Sequence, residues 1–448
     1  MVLLLILLVA LWIAGGASRA NVPGQMIVRA TSTLCLVLFC LTGTTVSDSR
    51  ARPAMIVLTA AVLIAFLQLV PLPPAIWTAI PGRTPFLAAA QLAGEPQPWR
   101  PLAIVPSAAL NALLSLIVPV TVLCLMTGID RREDPLLAKA LLAFVLASAL
   151  AGLLQFSGGA PNNPLLNGIG EISGNLANHN HFALLLAIGC LLAPVWAFQA
   201  GRKPGWRAPV ALGLVLIFEL MILASGSRAG AAISVVALSF GLLFAWMPLR
   251  QALARYPRWV FPTLLAGAIA LVAFAVVLSI VNDRAMSIDR AMTVDVRDMR
   301  SKGLPVVLAM IRDYFPIGAG LGSFDPLFRM HEPFALLKPT YFNHAHDDFL
   351  EIVLDTGIVG AFALLTAIGW WLMASLRAWR GTGGESPLIA RLGSATLLLV
   401  LLASIVDYPA RTPIVMAVMT IAAVWLGGQS TPRRTMTGET LPRSPRTV

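Results

Sequence analysis

The stretch GNLANHNHFALLLAIGCLLAPVWAF, residues 174–198, decides the fold. It opens with Asn175, Asn178, His179, Asn180 and His181, then runs from Phe182 to Phe198 without one charged or amide side chain. A helix needs roughly 20 apolar residues to cross about 30 Å of hydrocarbon, so this run reads as a membrane span with a polar mouth. Runs of the same kind recur along the chain, at about 2–14, 26–42, 54–70, 106–126, 136–156, 180–199, 209–224, 229–247, 259–281, 358–376, 392–407 and 411–427. The bulk composition agrees: 58% of the 448 residues are hydrophobic, 12% are charged and mean hydropathy is +0.81. Soluble domains carry about a quarter charged residues, so a water-soluble globule is excluded. Lipid offers no partner for backbone polar groups, so such runs must be helices. The expected fold class is all-α, a polytopic integral membrane protein of about 12 transmembrane helices.

The net charge of +11 and isoelectric point near 10.4 could suggest nucleic acid, but the basic residues fall in short clusters between spans. Arg50 and Arg52, Arg131 and Arg132, Arg202 and Lys203, Arg250 and Arg255, Arg377 and Arg380, and the tail arginines follow even-numbered runs. The opposite loops are nearly bare, as in 157–178, which holds no Lys or Arg. By the positive-inside rule both termini are expected in the cytoplasm. The first run lacks a basic segment before it and is read as a helix, not a signal peptide. Cys35, Cys40, Cys124 and Cys190 lie inside apolar runs and imply neither disulfide nor metal. Residues 1–427 are expected to form one transmembrane domain, and 428–448 a disordered basic tail.

One connection is long. Residues 282–357, between runs nine and ten, are polar and nearly balanced in charge, and long ordered loops tend to be functional. Within them RSKGLPVVLAMIRDYFP, 300–316, has the spacing of an amphipathic helix ended before Pro316. IGAGLGSF, 317–324, has glycines at 318, 320 and 322 but not a dinucleotide-binding spacing, so a flexible turn is expected there and not a phosphate cradle.

YFNHAHDDFLEIVLDTGIVG, 341–360, follows. Asn343 is expected to cap a helix whose first turn holds His344, His346, Asp347 and Asp348, breaking at Gly357 before run ten. His346 then sits at the membrane surface, where an imidazole can exchange a proton near neutral pH. A metal site built from His344, His346 and the acids is the competing reading. Histidines at i and i+2 of a helix point to different sides, which disfavours it. Three more polar features lie at membrane level: Arg228 in ASGSRAG, which must snorkel or face an anion; Asn178 and His181 at the mouth of run six; and Asp407 with Arg411 in VDYPARTP, expected to form a local ion pair. Glu219, inside run seven, must be protonated, paired to another helix, or functional.

In this order, SGSRAG, an Arg-bearing amphipathic segment, FPIGAGLGSF and NHAHDDFLEIVLDTGIVG resemble the O-antigen ligase and polymerase-related family of bacterial membrane glycan transferases, over about residues 209–376. The resemblance implies a bacterial inner-membrane enzyme with its site on the periplasmic side, in 282–357. It would move a glycan from undecaprenyl diphosphate to an acceptor hydroxyl, on a growing glycan or on lipid A core, for O-antigen or exopolysaccharide, with no metal or other cofactor. Carried over by motif, His346 is the base and Arg228 and Arg300 hold the diphosphate, with Arg297 three residues from the latter. His344, Asp347 and Asp348 support them, with Asp348 orienting the histidine helix, and Asn178, His181, Arg411 and Glu219 are weaker candidates. Asp347 and Glu351 stand where the family commonly has Asn and Gln, adding negative charge beside His346. Membrane lipids, a chain-length regulator and a flippase are the expected neighbours. Polymerase and ligase share these motifs. The alternative from another class is a multi-span transporter or flippase of polysaccharide precursors, which would show two related halves; none is visible.

Overall fold

The computed structural model describes residues 1–43, 48–159, 163–166, 172–198, 205–253, 257, 259, 262, 263, 266, 267, 277, 296–337, 342–381 and 387–428. The chain folds as helices: α1 (Val2–Ala14), α2 (Pro23–Leu41), α3 (Arg52–Leu67), α4 (Pro74–Trp77), α5 (Thr84–Leu92), α6 (Pro106–Ser115), α7 (Ile117–Thr127), α8 (Asp134–Phe156) and α9 (His179–Phe198). These are followed by α10 (Arg207–Ala224), α11 (Arg228–Leu253), α12 (Val296–Tyr314), α13 (Phe324–His331), α14 (Asp348–Arg380), α15 (Pro387–Ser404) and α16 (Pro413–Gly427).

Among the described residues eight helical stretches are long and apolar enough to cross a membrane, and α1, α3 and α16 are shorter apolar helices. Together they overlie eleven of the twelve expected runs. The ninth run, 259–281, lies almost entirely outside the described residues.

The opening stretch forms the centre. α9 is apolar on every side, as a helix enclosed by others must be, and it packs against α8, α10, α11 and α15. Its polar first turn therefore emerges at one end of the bundle, in the middle of the helices that surround it.

At that same end a second layer is built from loops. A two-residue antiparallel pair, β1 (Pro71–Leu72) with β2 (Arg100–Pro101), closes the excursion after α3. Arg83, 1% exposed, is sealed beneath it between the rings of Trp77 and Tyr314 and donates to the carbonyls of Leu102 and Gly318. α12 ends at Tyr314, before a cis Phe315–Pro316 bond, as the position of Pro316 predicts. Its apolar face, with Val307, Met310 and Tyr314, packs on Phe324, Leu327 and Phe328 of α13 and on Phe342 and Leu354.

The glycine-rich turn is not the flexible turn expected. Gly318, Gly320 and Gly322 all have positive φ, which only glycine adopts cheaply. The turn is wedged in place by the N–H groups of Ala319 to Leu354 O, Gly320 to Asp355 O, Leu321 to Gln68 Oε1 and Gly322 to Asp355 Oδ2. Those four donors are spent on protein.

The expected break in the histidine helix is present. Gly357 has φ 60° and ψ −143°, inside what is otherwise one helix from Asp348 to Arg380. The turn fills the gap: Ile358 N–H donates to Pro316 O at 2.9 Å. α14 is thereby divided into a polar stub, 348–356, and an apolar rod beyond it.

Candidate functional site

The helix start differs from the expectation. Asp347, not Asn343, caps α14, its carboxylate accepting from Leu350 N–H at 3.0 Å. Asp347 is thus a cap, and burial pushes its carboxyl above the usual range against the backbone N–H bonds that lower it. His344 and His346 consequently lie in the non-helical segment before the helix, so the argument from helical i, i+2 geometry does not apply to them. Asn343 donates instead to the Tyr408 hydroxyl at 3.3 Å. His346 adopts φ 53°, a left-handed conformation costing a β-carbon residue roughly 1–2 kcal/mol. Such strain persists only where the surroundings fix it.

What fixes it is the hairpin between α15 and α16. His346 Nδ1 lies 3.1 Å from Asp407 Oδ1, and the Phe342 and Tyr408 rings each pack 5.0 Å from its ring. Asp407, 2% exposed, also accepts from Asn178 Nδ2 at 3.2 Å, Asn180 Nδ2 at 2.7 Å and Tyr408 N–H at 3.0 Å. Asn180 in turn accepts from the Ser227 hydroxyl at 2.7 Å, immediately before Arg228. His181 is buried behind them, with Nδ1 2.9 Å from Thr412 Oγ1 and Nε2 3.9 Å from Asp407. The polar mouth of α9, the start of α11, the α15–α16 hairpin and the histidine segment therefore meet at Asp407.

Arg411 does not pair with Asp407 as expected. Its guanidinium faces Asp348 at 3.3 Å, Glu351 at 3.2 Å and Asp355 at 3.7 Å, all on the polar stub of α14. Stub residues 348, 351 and 355 follow i, i+3, i+7 spacing and so share a face. Burial alone would lower the guanidinium's pKa, but Glu351, then Asp355 and Asp348, outweigh it and push it up. Arg411 is a fixed cation holding the stub to the hairpin. Asp348, buried, also accepts from Ser404 Oγ and Ala410 N–H, so it anchors the helix that carries the histidine segment.

Tyr408 packs among three imidazoles: His344 at 4.1 Å, His346 at 5.0 Å and His181 at 5.2 Å. Burial, reinforced by Asp407, pushes its phenol up to about 12, so it remains a neutral hydroxyl at physiological pH.

The remaining expected residues divide. Arg228 opens α11, exposed, beside the Ser227–Asn180–Asp407 chain. Arg300 lies on α12. Glu219 is the paired case among its three readings: it accepts from Ser234 Oγ of α11 at 2.9 Å and Cys190 Sγ of α9 at 3.4 Å, and makes none of the contacts at the Asp407 hub. Asp407 and Tyr408 as partners of His346 were missed, because 61 residues separate Asp407 from His346. Asn180 and Gln68 were missed likewise. Among the described residues no group of three or more His, Cys, Asp or Glu has the arrangement of a metal site.

The fold and site define a polytopic helical membrane protein with a polar, histidine-bearing site at one end of its bundle. Residues 212–365 match the family model described as O-Antigen ligase, which places this segment of the chain in the O-antigen ligase and polymerase-related family. It covers α11, α12 and the histidine segment, but not Asp407 or Arg411. No curated protein matches the chain. The family supports a membrane glycosyltransferase-like role in O-antigen processing.

Proposed function

We propose that this protein transfers a glycan from a polyprenyl diphosphate of the undecaprenyl class to an acceptor hydroxyl, with His346 as general base. The observation that carries the reading is the His346–Asp407 pair. An ionised carboxylate accepts only, so Nδ1 bears the hydrogen and Nε2 is left as the basic nitrogen. The acceptor oxygen bonds to the anomeric carbon while its proton passes to Nε2. The bond from that carbon to the diphosphate oxygen breaks, and the electron pair leaves with the diphosphate. Asp407 stabilises the imidazolium that forms and holds the ring's orientation. Arg228 and Arg300 supply permanent cations for the departing diphosphate, through a planar donor fork that matches phosphate oxygens.

On this reading residues 1–427 form one membrane domain, twelve spans place the site on the periplasmic face of the inner membrane, and both termini are cytoplasmic. Substrates reach the site from lipid on one side and from the aqueous side on the other. The testing experiment uses the purified full chain with undecaprenyl-diphosphate glycan, with and without lipid A core. Longer lipid-linked chains mark a polymerase and glycan-capped lipid A core marks a ligase. Uptake of donor into vesicles without any transfer would establish the transporter alternative instead.

A further inference from the structure

The segment before α14 carries two imidazoles, and the reaction above uses one. His344 Nδ1 lies 2.9 Å from Glu351 Oε1. Glu351, wholly buried, is itself engaged by Arg411 Nη1 at 3.2 Å and by Ala345 N–H at 2.8 Å. A carboxylate held by a guanidinium and an amide N–H presents acceptor oxygens only, so His344 Nδ1 bears the hydrogen. Nε2 makes no hydrogen bond among the described residues, and the side chain is 17% exposed. The ring packs on Tyr408, which also packs on the ring of His346. Both imidazoles of the segment therefore border Tyr408, and the tautomer of His344 is already fixed.

That fixed tautomer has a consequence. A neutral imidazole with Nδ1 committed as donor presents a lone pair at Nε2, which repels a phosphate oxygen. The imidazolium presents an N–H and a positive charge, which bind one.

We propose that His344 is a diphosphate-binding residue, its protonated Nε2–H donating to an oxygen of the lipid diphosphate while neutral His346 receives the acceptor's proton. This rests on the transferase reading for its substrate and adds a proton-dependent step to donor binding. The charged and titratable groups facing His344 are Glu351 on α14 with Arg411 behind it, Tyr408 on the hairpin and His181 on α9; His346 and Asp347 lie on its own segment, and Asp407 is held against His346.

The test uses the full chain in lipid nanodiscs with farnesyl diphosphate as probe, its Kd measured from about pH 5 to about pH 8. The wild-type Kd is expected to rise about tenfold or more with pH, the loss of one charge-assisted hydrogen bond. The probe's own second ionisation, at about pH 6, acts in the opposite direction and tightens binding. His344→Gln should bind weakly with no such rise, and His344→Lys tightly across the range. A wild-type Kd that stays flat or falls overturns the proposal, and needs no variant to fold. So does His344→Gln retaining the wild-type rise. Glycan transfer is scored separately on the wild type: binding that follows pH without transfer contradicts the transferase reading and leaves this assignment standing, whereas transfer with pH-independent binding contradicts this assignment alone.

Discussion

His346 obtains its orientation from a residue 61 positions away in sequence, and Asp407 is itself held by Asn180 of α9 and by Asn178 just before that helix. The proposed base role of His346 requires Asp407 to be an acceptor. Asp407→Asn keeps the shape but offers an amide that can present N–H to Nδ1 and so favour the wrong tautomer. It should lower kcat roughly 10²–10⁴-fold with near-normal insertion, as measured by transfer rate against protein recovered from the membrane. Arg411 acts on stability instead. Removing it leaves the buried carboxyls of Asp348, Glu351 and Asp355 without their shared cation. Arg411→Ala should cost about 3–5 kcal/mol, read as a loss of thermal stability in detergent, with Arg411→Lys intermediate.

The element that matters most is α14, whose polar stub and apolar rod were both legible in the sequence. Gly357 marked the division, whereas the face shared by the acids at 348, 351 and 355 emerges only from their common partner Arg411. The cap was misplaced by four residues, because Asn343 and Asp347 are both good capping types and only tertiary contacts decide between them. Here Tyr408 claims Asn343, which leaves Asp347 to cap. The glycine-rich turn was read as loose for a related reason. Local composition shows that the backbone can take positive φ but not what packs against it, and Gln68, Leu354 and Asp355 are all remote. Two substitutions test the element. At Gly357 a Cβ would lie 2.0 Å from Pro316 O, on a backbone that L residues rarely adopt. Gly357→Ala should therefore destabilise the protein by at least the roughly 1–3 kcal/mol of backbone strain, seen as reduced folded yield. Asp347→Asn should preserve cap and activity, whereas Asp347→Ala should lose about 1 kcal/mol of stability in the same unfolding measurement.

At the scale of the whole molecule, hydropathy alone identified the helical membrane class, since backbone in lipid has few solutions. It also placed α9 as a span, but not as the central one; that follows from its being apolar on all faces while α10 and α14 keep exposed apolar sides. Centrality explains why the Asn178–His181 mouth contributes to the site: whatever caps the middle helix borders every loop at that end. The hairpin of α15 and α16 supplies Asp407 from beyond the family-matched segment, so the site is assembled by the whole bundle and not by 212–365 alone. The proposed role of His346 as base of a glycan transfer depends on that assembly. The most direct measurement is single-turnover transfer from undecaprenyl-diphosphate glycan by wild type and by His346→Ala, with donor binding measured on the same preparations. Rapid transfer by the wild type and a loss of roughly 10²-fold or more in the variant, with binding retained, is the predicted result. Transfer by His346→Ala at the wild-type rate would contradict it.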